Sequence, residues 1–198
     1  MSLSGLFNIN KQITFYGAYH SQSVNVLIHL VFVPVLLWTF QVMASQLPVP
    51  SFIPPVHLVL NEYLTFDLNW SAIHAGIYLL YYFLLEPTAA LLYVPQMTLS
   101  LLTATTFSYK PDALTTAALV HLGSWAAQFA GHYLAEGRQP ALIDNLIEVS
   151  PATLLLLRVS AHALGYKPAL RKSIQADTAA EIARVKAAKA GSPAKKEL

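Results

Sequence analysis

Seven histidines stand in a chain of 198 residues that has no cysteine and only 11% charged residues. Imidazole is the commonest metal ligand and a ready acid or base, and an ionisable side chain in apolar surroundings is costly enough to need a reason. Without cysteine, thiolate-held iron–sulfur clusters, Cys-type zinc sites and disulfides are excluded, so any metal must be held by His, carboxylate or amide groups. Asn25 and His29 are four residues apart, on one helix face and about 6 Å apart along the axis; His20 precedes them, ahead of the expected helix start, and can fold back over the helix mouth. Further on, His121, Trp125, Gln128, His132 and Glu136 follow at spacings of four, three, four and four, one stripe of a second helix. No two histidines are closer than nine residues, so the closely spaced histidine boxes that di-iron desaturases and hydroxylases need are absent.

The elements that must position these residues are apolar. Hydrophobic residues make up 55% of the chain and mean hydropathy is +0.48, while a soluble domain carries roughly 25% charged residues. An ordinary soluble globular domain is therefore excluded, and the composition predicts an all-α integral membrane bundle. About four spanning helices are expected, at Val24–Met43, Trp70–Leu85, Thr88–Phe107 and Ala113–Glu136. The second is short for a span and ends at Glu86-Pro87, and the fourth stops at Gly137, a helix C-terminus signal. Ser21 or Ser23 is the expected cap of the first, and Pro34 an expected kink. Residues 45–70, with four prolines, read as a loop with a short interfacial helix; 140–164 reads as one or two interfacial helices, and 174–190 as a solvated polar helix. Residues 1–14 lack the basic start and apolar run of a signal peptide.

Charge divides the chain in two. Before Lys167, four basic residues face seven acidic ones; from Lys167 on, eight face three. Residues 1–166 are thus expected to form the membrane-embedded catalytic part and 167–198 a basic cytosolic tail, with both termini cytosolic and the Lys/Arg-free loop 45–70 on the far side. The terminal Lys195-Lys196-Glu197-Leu198 resembles a dilysine retrieval signal of the endoplasmic reticulum. Phosphate loops, dinucleotide fingerprints and basic grooves are missing, so a nucleic-acid partner is not expected; the bilayer is, and a homo-oligomer is compatible with the sequence.

Depth along the helices sorts the histidines. His29 lies about 9 Å below the start of its helix at Ser23, and His132 about 6 Å from the end of its own at Glu136. Antiparallel helices bring His20, His29 and His132 to one level near the cytosolic boundary, with Asn25 and Glu136 beside them. His121 is about 16 Å from His132, too far for a shared ion; its depth matches His74, with which a structural hydrogen bond is expected. His57 and His162 read as solvated or helix-capping, and Trp125 and Gln128 as packing and interhelical hydrogen bonding. From the residues alone, two readings of the three histidines stay open: ligands of a non-haem metal, or packing histidines joined by hydrogen bonds.

Two strings carry a family resemblance. Tyr19-His20, then Asn25-Val26-Leu27-Ile28-His29 and Val33-Pro34, form the first; Trp125, then Gln128-Phe129-Ala130-Gly131-His132, Glu136, Arg138 and Pro140-Ala141-Leu142-Ile143-Asp144-Asn145-Leu146 form the second. On these the chain, from about Asn10 to Tyr166, resembles the fungal endoplasmic-reticulum family of Fe(II)-dependent 2-hydroxy fatty acid dioxygenases. The resemblance implies oxidation of a 2-hydroxy long-chain fatty acid by O2, releasing CO2 and an acid one carbon shorter, as in phytosphingosine α-oxidation. It implies Fe(II) on His20, His29 and His132, with Asn25, Glu136 and Asp144 in supporting roles and Arg138 pairing with the substrate carboxylate. Two other readings remain at this stage: a b-type haem electron-transfer protein with two of these histidines as axial ligands, and a non-enzymatic membrane scaffold or lipid-binding protein.

Overall fold

The structure is a computed structural model, and it describes residues 8–137 and 168–191. The described chain is mostly helical. Helix α1 (Ile9–Tyr19) starts at Asn8, whose side chain accepts from the Lys11 N–H, and buries Ile13, Tyr16 and Tyr19 at helical spacing. Helix α2 (Ser23–Ser45) is about 34 Å long by its 23 residues. Helices α3 (Trp70–Leu85) and α4 (Pro87–Ser108) are separated at Glu86, since Pro87 disfavours helix at the residue before it and suits the first position of the next. Helix α5 (Ala113–Ala130) runs on into a π-helical turn, Gly131–Glu136, and stops at Gly137, whose φ of 65° is left-handed. Helix α6 is Pro168–Gly191.

Helix α2 is the spine, packed against both α5 and α4, while α3 lies on α4. Small side chains set the close approach: Ala104, Ala113 and Ala117 are fully buried around Val42. Tyr82, Tyr93, Met97 and Leu101 fill the α3–α4 side. Among the described residues one helix, α2, is long and apolar enough to cross a membrane, by length and composition. Four spans were expected, and of these α2 alone meets that measure among the described residues. Helix α3 has 16 residues, and α4 and α5 carry serine, threonine and glutamine that turn inward, such as Thr105, Ser124 and Gln128.

The all-α expectation needs one correction. Residues 45–70 hold a β-hairpin in place of an interfacial helix: β1 (His57–Asn61) pairs antiparallel with β2 (Leu64–Asp67). Val59, Leu60, Thr65 and Phe66 favour a strand, and the Asn61 side chain accepts from the Tyr63 N–H to close the turn. Asp67 then takes hydrogen bonds from His57 Nδ1 (2.7 Å) and the Tyr109 hydroxyl, tying the hairpin to the end of α4. Desolvation and the Asp67 carboxylate push the Tyr109 phenol up to about 12. Its folded value lies above the ordinary one, so this contribution to stability is complete below about pH 10 and is lost as pH rises through 12.

The tail helix α6 is present and mostly exposed, as expected, with one side lying against α1. The expected His74–His121 bond is not formed. His121 Nε2 accepts from the Trp125 indole, so its Nδ1 donates to Thr39 Oγ1 (2.8 Å), whose own proton goes to the Val35 carbonyl. His74 packs between Phe40 and Tyr78. His162, Arg138, Asp144, the segment 140–164 and the terminal dilysine lie outside the described residues.

Candidate metal centre

Three separate elements deliver the three histidines. His20 is the residue at which α1 ends, so the fold-back expected from the sequence is a helix end, and the bend at residues 20–22 hands the chain to α2. His29 sits two turns into α2, and His132 is the second residue of the π-turn. Each is 3% exposed. Their ring centroids are 4.3 Å (His20–His29), 4.8 Å (His29–His132) and 4.9 Å (His20–His132) apart, with ring planes at 71–80° to one another. One ligand nitrogen from each lies within 4.8 Å of the others.

Two of the rings are fixed in tautomer and direction. His20 Nδ1 lies 2.9 Å from the Tyr16 carbonyl and His29 Nδ1 2.9 Å from the Asn25 carbonyl. A carbonyl only accepts, so each Nδ1 carries the proton and each Nε2 of the neutral ring carries a lone pair. Backbone carbonyls on the far nitrogen are the usual outer partners of metal-bound histidines. The Tyr16 ring also stacks on His20 at 3.9 Å and 12°. Three converging imidazoles, with no carboxylate among them, make a donor set suited to a divalent iron or zinc ion that keeps positions open for other ligands. Centroids under 5 Å apart leave no room between any two rings for a porphyrin plane.

A second layer locks this geometry. Glu136, at the end of the π-turn, accepts from the Ser21 N–H (2.9 Å) and Ser21 hydroxyl on one oxygen, and from the Gln22 N–H (3.0 Å) and Asn25 Nδ2 (3.2 Å) on the other. The expected serine cap of α2 is thus replaced by a carboxylate from 115 residues away. Helix α2 has no cap from its own Gln22 side chain, and Glu136 satisfies orphan amides and the positive end of the dipole there. Asn25, fully buried, reaches both Glu136 and the Tyr19 carbonyl (3.2 Å) with Nδ2, while its backbone oxygen holds His29. Its Oδ1 lies 2.7 Å from where a Cβ on residue 131 would stand, so only glycine lets α5 close on α2 at Gly131.

The structure therefore brings together His20, His29, His132, Asn25 and Glu136. Tyr16 and Gly131 are members to which the sequence reading gave no part in the site, and Ser21, expected as a helix cap, instead donates to Glu136. The signals for the first two were Tyr16 four residues before His20 on a helix, and a glycine directly before a candidate ligand. π-turns of this kind are frequent at functional sites, because they shift one side chain relative to the helix face.

A helical bundle with a buried tri-histidine cluster and a carboxylate–amide scaffold has a group of side chains that could hold a metal ion. The chain belongs to the family described as 2-hydroxy-palmitic acid dioxygenase Mpo1-like, whose family model matches residues 6–163. It is similar to the 2-hydroxy-palmitic acid dioxygenase MPO1 of Saccharomyces cerevisiae, at 30% identity over 175 residues, covering 87% of this chain and 91% of the yeast protein. Both descriptions are of dioxygenases, so the chain is placed among oxidoreductases. No solved structure matches the chain.

Proposed function

We propose that this protein is an Fe(II)-dependent dioxygenase of 2-hydroxy long-chain fatty acids, working in α-oxidation during the breakdown of sphingolipid long-chain bases. The observation that carries this reading is the buried meeting of His20, His29 and His132, with two of the rings turned so that Nε2 faces inward. Fe(II) held there would supply positions for the substrate's 2-hydroxyl and carboxylate and the one-electron chemistry through which O2 reacts with a closed-shell acid. The reaction closes on its own: R–CH(OH)–COOH and O2 give R–COOH, CO2 and H2O. The acid provides all four electrons, and no external reductant is required.

The chain's own residues bind and orient. Tyr16 and Asn25 hold two imidazoles by their carbonyls, and Glu136 fixes the helix start on which Asn25 and His29 ride. Arg138, just beyond the cluster in sequence, is the cation assigned to the substrate carboxylate, where a guanidinium pairs two oxygens at once. Asp144 is assigned as a further orienting carboxylate. The alkyl chain lies among the helices, gaining about 0.8 kcal/mol per buried methylene, which selects long chains.

The same reading places the bundle in the endoplasmic-reticulum membrane with several spans and both termini cytosolic. Outward-facing apolar side chains on α2 to α5 support this, among them Leu27 and Val31 on α2, Leu80 on α3, Leu99 on α4 and Leu119 and Leu122 on α5. Removal of metal tests the function: a chelator is expected to stop O2 uptake with 2-hydroxypalmitate, Fe(II) to restore it with pentadecanoate as product, and Zn(II) not to restore it. Uptake that survives chelation in iron-free protein would defeat the proposal.

A further inference from the structure

The interior of the bundle holds several polar side chains outside the histidine cluster, and most are satisfied in pairs. Gln41 accepts from Ser100 (2.6 Å), Trp38 donates to Thr103 (3.1 Å), and Thr39, His121 and Trp125 form the chain described above. Ser71, His74, Thr105 and Gln128 each keep a buried polar atom without a partner among the described residues, and of these Gln128 stands on the helix that leads into His132. Gln128 is 7% exposed, and its Nε2 has no hydrogen-bond partner among the described residues. The expected role as interhelical hydrogen-bond donor is therefore not filled within the described bundle, and a buried amide N–H without an acceptor loses its hydration for no return.

Its place in the fold points to a ligand. The pairing of α2 with α5 is set by Thr39–His121 at one level and His29–His132 at another. Gln128 falls between them, one turn before His132 on the same helix face and on the interior side of the cluster. A 2-hydroxy acid held at the histidines with its alkyl chain among the helices, as proposed above, turns C2 toward that interior side. A neutral amide is the donor suited to this depth, where an ammonium or guanidinium would pay the full ionic desolvation.

We propose that Gln128 is a substrate-recognition residue whose side-chain N–H donates to the hydroxyl oxygen on C2, selecting 2-hydroxy acids over unsubstituted fatty acids. The assignment rests on the dioxygenase reading above. A site built to hydrogen-bond a hydroxyl rejects an analogue that lacks it far more strongly than an apolar site does.

The test compares full-length wild type with Gln128→Met, which keeps length and removes the donor. Both are loaded with Fe(II) under argon so that no turnover occurs, and equilibrium binding of 2-hydroxypalmitate and of palmitate is measured beside the thermal midpoint of the ligand-free protein. The expected result is about tenfold weaker binding of 2-hydroxypalmitate, unchanged binding of palmitate, and a thermal midpoint that is held or raised. Gln128→Leu is a second variant without a donor in case the methionine disturbs folding, and it too is expected to lose the preference. A variant that keeps the wild-type preference overturns the assignment, as does one whose midpoint falls while both acids weaken equally, the mark of a packing role. Wild type that binds the two acids alike overturns both this assignment and the substrate reading.

Discussion

Replacing His132 by alanine is expected to reduce turnover of 2-hydroxypalmitate below about 1% of wild type while leaving a folded helical bundle. The ring is one of three ligands, and two neutral imidazoles do not hold a divalent ion in fixed geometry against water. The loss is therefore expected in iron content and in O2 uptake together, measured on the same sample with circular dichroism as the check on folding. His57→Ala is the matched control. That imidazole is exposed and bonded to Asp67 on the hairpin, so its removal is expected to leave iron content and turnover as they were. Wild-type iron content in His132→Ala would mean that the cluster is packing and the metal lies elsewhere.

Glu136→Ala carries the second largest expected effect, and it acts without touching the ion. One carboxylate gathers the Ser21 and Gln22 amides, the Ser21 hydroxyl and the Asn25 side chain, joining the end of the π-turn to the start of α2. Its removal leaves orphan amides at the helix start, a loss of about 1–2 kcal/mol as for other caps. It also frees Asn25, whose carbonyl aims His29, and outer partners of metal ligands are typically worth 10–100-fold in affinity or activity. A fall of that size in Fe(II) affinity is expected, with Glu136→Gln intermediate because it keeps one acceptor oxygen. Titration of iron into the metal-free variants checks the order; an alanine variant with wild-type affinity would reduce Glu136 to a helix cap.

Much of the site was legible in the sequence because helix geometry converts residue numbers into depth. The segments around Val24 and Ala113 run antiparallel, so His29 and His132 had to meet, and His121 had to miss them. The π-turn was not legible. It arises where Gly131 lets α5 close on α2 and Glu136 is drawn to the start of α2, and no local spacing encodes such a long-range bond. The start of α1 was overlooked although Asn8 caps it, because its apolar stripe is short and mixed with polar residues. The hairpin was missed for a related reason. Four prolines between residues 45 and 70 mask the strand-forming run from His57 to Asp67. The inward-turned serines and threonines of α4 and α5 show why hydropathy alone is a blunt guide to which helices span a membrane.

The most direct measurement is X-ray absorption at the iron edge on anaerobic Fe(II)-loaded protein, with and without 2-hydroxypalmitate. The expected spectrum is that of a non-haem ferrous ion with three imidazoles among its ligands, changing on substrate addition as oxygen ligands of the acid replace solvent. Iron without imidazole scattering, a porphyrin signature, or a spectrum indifferent to the hydroxy acid would contradict the assignment of His20, His29 and His132 as the iron site of this enzyme.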